Sequence, residues 1–336
     1  MTPIKFQNAI LAWFDQHGRK HLPWQDNKTH YRVWVSEIML QQTQVTTVIP
    51  YFQRFMERFP TVQILAEAPS DTVLSCWSGL GYYARARNLH RAAQYLVEHF
   101  HGEFPKTLEQ AIELPGLGRS TASAILAIVD GQPLPILDGN VKRVLSRFAA
   151  AEPSWSLAEL YMPTARAGDY TQAMMDLGAM VCTRTKPKCL LCPLEKACKA
   201  YQNGEIDSYP PKKVQKTKPE KQAYFIWIED EVGRVLLQQR PHKGLWGGLW
   251  VFPMVEFVEG VDHWLKQHLP KRKFTKTVLP EQQHVFTHFK LIYIPIYIKL
   301  TAIVAINPGI WFNKNELDTI GLPAPISLLL NGKIKK

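Results

Sequence analysis

Over residues 1–200, apolar side chains recur at helical spacing. Ile4, Phe6, Ile10, Leu11, Trp13 and Phe14 mark an amphipathic N-terminal helix, and the same spacing runs through 33–48, 51–59, 84–100, 121–128 and 173–181. Pro50, Pro60, Pro69, Pro105 and Pro115 stand at the expected helix boundaries. Residues 203–222, NGEIDSYPPKKVQKTKPEKQ, carry almost no apolar side chain and read as a basic, extended linker. Beyond them the period changes. Residues 223–229, 235–239, 249–255 and 291–300 are β-branched and aromatic runs that predict strands, with helices over 258–268 and 325–330. The pattern predicts a mainly α domain at 1–202, a linker at 203–222 and a separate α+β domain at 223–336.

Composition adds the class of partner. A net charge of +11 and a pI near 9.3 point to an anion, most simply nucleic acid. No apolar run approaches a membrane span, and the N-terminus lacks the pattern of a signal peptide, so no membrane association is expected. Four of the five cysteines, Cys182, Cys189, Cys192 and Cys198, follow C-x6-C-x2-C-x5-C. This is a metal-binding spacing and not a disulfide framework. Thiolates suit both zinc and iron–sulfur centres, although a zinc ribbon pairs two C-x2-C knuckles and only one is present. Cys76, beside Trp77, reads as a core thiol.

One stretch, 112–143, concentrates the candidate chemistry: IELPGLGRSTASAILAIVDGQPLPILDGNVKR. Its LPGLG segment predicts a tight turn between two helices, with Gly116 and Gly118 free to take positive φ or to let another backbone approach. Arg119 and Ser120 open the second helix, whose free N–H groups can cradle a phosphate without reading sequence. Asp138 then interrupts an apolar run and precedes a basic helix with Lys142, Arg143 and Arg147. An ordinary packing hairpin with Asp138 as helix N-cap fits the same residues. Upstream, the helical neighbours of Glu37 are Val33, Trp34, Leu40 and Gln41. None is a cation, so its carboxyl is expected to titrate high. A glutamate on a solvated face is the plainer alternative.

LPGLGRSTA, LDGNVKR and the cysteine spacing together resemble the helix-hairpin-helix DNA glycosylases that carry a 4Fe–4S cluster, the endonuclease III superfamily. SEIMLQQTQV at 36–45, GLGYYARARNL at 79–89, PILDGNVKR at 135–143 and QAMMDLGAMVC at 172–182 resemble its MutY branch, the adenine DNA glycosylases. GLWGGLWVFP at 244–253 resembles the Nudix-like domain that ends this family. The resemblance spans nearly the whole chain. It implies a base excision repair enzyme that hydrolyses the N-glycosidic bond of adenine mispaired with 8-oxoguanine or guanine in double-stranded DNA. It also implies a 4Fe–4S cluster, and not zinc, on the four cysteines.

The roles that follow are those of the family. Glu37 is the general acid at adenine N7, Asp138 the carboxylate that stabilises an oxocarbenium-like sugar, and Asn140 a helper in their network. Ser120 stands where lyase relatives carry a Schiff-base lysine, which implies base removal without strand cleavage. Gly116, Gly118, Arg119, Ser120, Lys142 and Arg143 are implied on the DNA backbone. Gln41, Gln42 and Tyr82 wedge the lesion pair apart, and Trp24, Leu40 and Gln172 wall a pocket for the extruded adenine. Core packing is the alternative for Trp24 and Tyr82. Phe286, Thr287 and His288 match the Phe-Ser-His loop that probes 8-oxoguanine, with Thr in place of Ser; strand-end packing through Phe286 is the alternative. Glu256, Glu259 and Asp262 do not make the acidic cluster of a working Nudix hydrolase. The connection between Arg147 and Asp169 is shorter than the family's, with one helical pattern at 155–161. A cytoplasmic, nucleoid-associated bacterial monomer is implied, its linker open to replication or repair proteins. Two other functions fit fewer features: a bifunctional oxidised-pyrimidine glycosylase, opposed by Ser120 and the second domain, and a non-catalytic iron–sulfur DNA binder, which would not need Glu37.

Overall fold

The computed structural model describes residues 1–211, 217–270 and 272–332; part of the predicted linker, 212–216, lies outside them. The helices are α1 (Pro3–His17), α2 (His30–Leu40), α3 (Val45–Arg58), α4 (Val62–Glu67), α5 (Ser70–Cys76), α6 (Ala84–Phe100), α7 (Leu108–Ala111), α8 (Arg119–Asp130), α9 (Gly139–Ala149), α10 (Trp155–Tyr161), α11 (Ala167–Met180) and α12 (Lys199–Gln202). Then come β1 (Glu220–Glu229), β2 (Val235–Gln239), β3 (Trp250–Val251), β4 (Met254–Val255), α13 (Val258–His268), β5 (Phe274–Val278), β6 (Gln282–Val285), β7 (Lys290–Leu300), β8 (Ile310–Phe312) and α14 (Ala324–Leu330). Among the described residues no helix is long and apolar enough to cross a membrane.

Contacts divide the chain into two compact units, Met1–Glu67 with Asn88–Val214 and Ala68–Arg87 with Gln215–Lys336. Residues 68–87, sequence neighbours of the helical domain, therefore cluster with the C-terminal half. Their anchors are specific. The Asp71 carboxylate accepts from the Trp250 indole at 3.2 Å and from Gln239 at 3.1 Å, and the Tyr83 hydroxyl donates to the Leu322 carbonyl at 2.7 Å. Gly321 leaves room for Leu74, since a Cβ there would lie 2.7 Å from Leu74 Cβ.

In the first unit, Phe6, Ile10, Trp13 and Phe14 of α1 are buried, as the spacing predicts, but Ile4 is 68% exposed. Phe6 meets Phe148 and Tyr161 at ring distances of 4.7 and 4.4 Å, joining α1 to α9 and α10. Truncating such a buried aromatic to alanine costs about 3–5 kcal/mol. The short α10 is thus tied into the core through Ala158 and Tyr161. The helical run expected over 33–48 is broken at residues 41–44, where Gln42 takes φ 59. Pro50 lies inside α3, not at a boundary; both it and Thr46, whose carbonyl loses its donor, are exposed.

The second unit is a mixed sheet in the order β3-β2-β1-β7-β5, with β4 on β1, β6 on β7 and β8 on β2. β1 begins three residues before the predicted strand and pairs parallel with β7 along its whole length, from Glu220↔Lys290 to Glu229↔Lys299. Its first residues, 220–222, are therefore strand and not linker. The run at 249–255 splits at Phe252-Pro253 into β3, paired to β2, and β4, paired to β1. Pro295 sits in the central strand β7, opposite the break between β5 and β6, where a missing N–H is tolerated. Val261 and Leu265 of α13 cover one face of the sheet against Ile226, Ile228, Ile296 and Ile298.

Candidate active site

A cavity of about 900 Å³ opens in the first unit between α2, α8, α9 and α11. Trp24, Glu37, Leu40, Gln41, Gln42, Ser120, Asp138, Asn140, Arg143 and Gln172 all line it, so ten of the residues picked out by sequence meet at one place. Trp24 also packs edge-on against Phe52 at 5.5 Å. This tryptophan is a buried core residue that also lies on the cavity wall.

Glu37 lies on α2, half-buried among Val33, Trp34, Ile38 and Leu40. It accepts no hydrogen bond among the described residues. Burial pushes its carboxyl up to about 7, and the charge of Asp138 adds to the rise. At neutral pH the group is partly protonated and able to give up its proton, which a solvated glutamate is not.

Asp138 is the N-cap of α9, as the plainer reading has it. Its Oδ1 accepts the Val141 N–H at 2.8 Å, and Oδ2 accepts Asn140 Nδ2 at 3.1 Å. The cap fixes the side chain at the positive end of the helix dipole, a setting suited to an anion. Asn140 is held from the other side by Arg143 Nη2 at 2.9 Å. Gly178 of α11 lets the backbone approach: a Cβ there would lie 2.6 Å from Asn140 Cβ.

Ser120 Oγ accepts the Leu137 N–H at 2.6 Å, tying the start of α8 to the strand-like segment that delivers Asp138. In the hairpin, Gly116 takes φ +82 with its backbone against Asn88. Gly118 differs from expectation: its φ is −89 and nothing lies within 4 Å of where its Cβ would be. It is the N-cap of α8, and the N–H groups of Gly118, Arg119 and Ser120 meet no protein acceptor among the described residues. That open, donor-lined space fits a phosphate. Gly118→Ala places a methyl there without straining the fold. It is expected to leave the melting temperature unchanged and to weaken binding to any duplex by roughly tenfold; unchanged binding in a gel-shift titration would show that no phosphate sits there.

The basic residues sort differently from expectation. Arg119 points its side chain away from the hairpin, to Glu159 at 2.8 Å and over Trp155 at 3.9 Å. Arg143 donates to the carbonyls of Cys182 at 2.6 Å, Gly178 at 2.6 Å and Gly139 at 3.2 Å besides Asn140. Its expected phosphate role gives way to an internal one, since carbonyls already occupy its fork. Arg147, buried, binds the carbonyls of Thr183, Ile206 and Tyr209. Only Lys142 of this basic helix is exposed, and it does not line the cavity.

Sequence reasoning missed one pair at the cavity edge. Asp176, fully buried on α11, accepts the Arg19 N–H at 2.7 Å, Arg19 Nη2 at 2.6 Å and Gln172 Nε2 at 2.9 Å. The available signal was an acid on an otherwise apolar helix, the same signal that singled out Glu37.

Cys182, Cys189, Cys192 and Cys198 line one small cavity of about 30 Å³ with Arg147 and Leu194. Burial pushes the Cys192 thiol up to about 12 and raises Cys189 and Cys198, and the neighbouring Cys182 charge adds to all three rises. Raised thiols like these ionise together only around a cationic centre. Among the described residues no three His, Cys, Asp or Glu side chains gather as around a single ion. Four thiols on one cavity are a donor set that fits a thiolate-held metal centre.

Tyr82 and residues 286–288 belong to the second unit. Tyr82 is 47% exposed at φ 51, between Gly81 and the Arg85 guanidinium 5.3 Å from its ring. A tyrosine held in this region is strained, and strain of this kind is retained at working surfaces. Thr287 and His288 form the exposed turn between β6 and β7, closed by Phe286 N–H to the Phe289 carbonyl at 2.9 Å. Phe286 is half-buried, stacked on Phe289 at 4.4 Å, so packing and presentation of the loop go together.

Comparison with known proteins agrees with this geometry. Residues 35–161 match the HhH-GPD superfamily of base excision DNA repair proteins, and residues 223–332 match the NUDIX domain. The chain is 39% identical to the adenine DNA glycosylase of Buchnera aphidicola subsp. Baizongia pistaciae, over 100% of this chain and 98% of that protein. To the human adenine DNA glycosylase it is 35% identical, over 94% of this chain and 71% of that one. In fold it is similar to a thermostable thymine-DNA glycosylase, with a TM-score of 0.56 at 24% identity, covering 60% of this chain and 97% of that one. With a full-length match at this identity, the chain belongs to the adenine DNA glycosylase family, the base excision repair enzymes that hydrolyse the N-glycosidic bond of adenine in DNA.

Proposed function

We propose that the substrate is adenine opposite 8-oxoguanine or guanine in double-stranded DNA and that the enzyme removes the base without cutting the strand. The observation that carries this reading is the pairing of Glu37, raised to about 7, with the capped Asp138 on one cavity, where Ser120 and no lysine stands at the start of α8. An extruded adenine enters between Trp24, Leu40 and Gln172. Glu37 gives its proton to N7, the C1′–N9 bond breaks with its electron pair leaving on the base, and the Asp138 carboxylate stabilises the cationic sugar. Water adds to C1′ and its proton is lost to Glu37 or solvent. The Ser120 hydroxyl accepts the Leu137 N–H and offers no amine for a Schiff base.

In this reading the helix start at Gly118 holds the phosphate, Gln41 and Gln42 enter the duplex, and Thr287 of the 286–288 turn reads 8-oxoguanine. Cys182, Cys189, Cys192 and Cys198 hold a 4Fe–4S cluster, which supplies a compact crosslink of the 182–198 loop. The linker is a candidate surface for replication or repair proteins, and the chromosome-bearing compartment is where the enzyme works. Single-turnover assays on A:8-oxoguanine, A:G and A:T duplexes, analysed with and without alkali, test the whole reading. Excision is expected from the first two, with strands cut only after alkali. No excision from either mispair, or strand cleavage before alkali, overturns it.

A further inference from the structure

The residues that read the opposite base and the tyrosine at the strained tip share one unit, and a continuous line of contacts joins them. Phe286, beside Thr287, packs on Trp246 at a ring distance of 5.9 Å. Trp246 is buried and takes φ 54, a conformation rare for so bulky a residue. The next residue, Gly247, has its backbone fixed against His242, whose carbonyl oxygen lies 2.3 Å from where a Cβ would sit. The Gly247 carbonyl accepts Arg87 Nη1 at 2.7 Å. Arg87 stands in the first turn of α6, its N–H donating to the Tyr83 carbonyl at 3.1 Å while Arg85 N–H donates to the Tyr82 carbonyl at 2.9 Å. The tip is closed from behind as well, by Trp77 Nε1 on the Gly81 carbonyl at 3.1 Å.

We propose that Arg87 is a positioning residue through which the 286–288 turn sets the Tyr82 tip, so that recognition of the opposite base and insertion of the tyrosine occur as one event. The turn cannot shift without moving Trp246. Trp246 cannot move without its neighbour Gly247, and Gly247 carries the acceptor that holds Arg87. A charge-assisted hydrogen bond to a fixed carbonyl transmits position better than apolar contact, because its strength falls steeply with misalignment. The inference rests on the proposed preference for 8-oxoguanine, and the assay below separates the two.

The test uses the full-length enzyme and its Arg87→Ala, Arg87→Lys, Tyr83→Phe and Thr287→Val variants, with single-turnover excision from A:8-oxoguanine and A:G duplexes. Arg87→Ala is expected to lower the A:8-oxoguanine rate about tenfold, the loss of one charged hydrogen bond, and to leave the A:G rate unchanged. Arg87→Lys restores part of the ratio, because an ammonium reaches one carbonyl but not with the planar fork. Tyr83→Phe, whose lost hydroxyl donates to the Leu322 carbonyl and accepts the Gly79 N–H, lowers the ratio less. Combined with Thr287→Val, Arg87→Ala adds little further loss, since both act on one step. Equal loss on both duplexes, additive losses, or weaker binding to every duplex with a shallower salt dependence would overturn the proposal; the last is the behaviour of a phosphate contact. A wild-type enzyme without preference for 8-oxoguanine would instead refute the substrate reading itself.

Discussion

Glu37→Gln lowers single-turnover adenine excision by about 10²–10⁴-fold, the usual contribution of a positioned general acid, and leaves duplex binding intact. The side chain keeps its shape and its place among Val33, Trp34 and Leu40, and loses only the proton. The pH profile of the parent enzyme follows from the carboxyl raised to about 7. Below that pH the acid is protonated and the rate is flat; above it the rate falls, approaching about tenfold per pH unit. The stability of the fold runs the opposite way from that of a salt-bridged carboxylate. A folded-state pKa above the unfolded one means that the native protein binds more protons, so stability is lost as pH rises from the unfolded value of 4.5 toward 7. Glu37→Gln removes that penalty, and its melting temperature at pH 8 is expected to equal or exceed that of the parent. Asp138→Asn also loses excision but for a different reason: asparagine still caps the Val141 N–H, so α9 survives while the charge facing the sugar is gone. Rates from pH 5 to 9 with enzyme in excess, together with thermal melts, check both. A Glu37→Gln enzyme within tenfold of the parent, or a rate that stays flat above pH 8, would remove Glu37 from the role of acid.

How much of this was legible in the sequence depends on how far apart the cause and the effect lie. Glu37 and Asp138 stood out because each is an acid in an apolar run, a local contrast that burial then explains. The four cysteines stood out by spacing. Residues 41–44 did not register as a helix break, because they contain neither Gly nor Pro and the apolar spacing resumes at Val45 and Val48. β5 escaped notice because an edge strand exposed over Thr275, Lys276, Thr277 and Val278 has no apolar alternation to show. Arg143 departs from its expected place on the DNA backbone for a chemical reason, and Arg147 beside it shows the same one. A guanidinium in a basic helix declares that it has donors, not whether they meet phosphates or carbonyls, and here all but the Gly139 carbonyl lie 35–62 residues away in sequence. Arg19 and Asp176 are 157 residues apart, beyond any local pattern. The clustering of residues 68–87 with the C-terminal half was equally hidden, since it rests on single carbonyls and one carboxylate reached through the fold.

Those carbonyls give the second large effect. If the four cysteines hold the proposed 4Fe–4S cluster, Cys192→Ala is expected to lose its iron and its visible absorbance, and to lose affinity for mispaired and undamaged duplexes alike by about tenfold or more. The uniform loss follows from the surface of the 182–198 loop, where Lys186, Lys188, Lys196 and Lys199 are all exposed and set by the fold of the loop. Excision falls too, and by a route that runs through protein alone. Arg143 and Arg147 reach from α9 to the carbonyls of Cys182 and Thr183, and the same Arg143 holds Asn140, which donates to Asp138. Loosening the loop frees Arg143, and α9 keeps its cap but loses the contact that orients Asn140 toward the carboxylate. The reach of the damage therefore distinguishes a structural centre from a bystander. Iron content, gel-shift affinity and single-turnover rate at saturating enzyme should fall together in Cys192→Ala. Cys76→Ala, whose thiol lies outside the four-cysteine cavity, should leave the iron content and the visible absorbance unchanged. If Cys192→Ala keeps the parent's affinity for undamaged DNA, the loop does not hold the backbone and its lysines serve only to balance the charge of the thiolates.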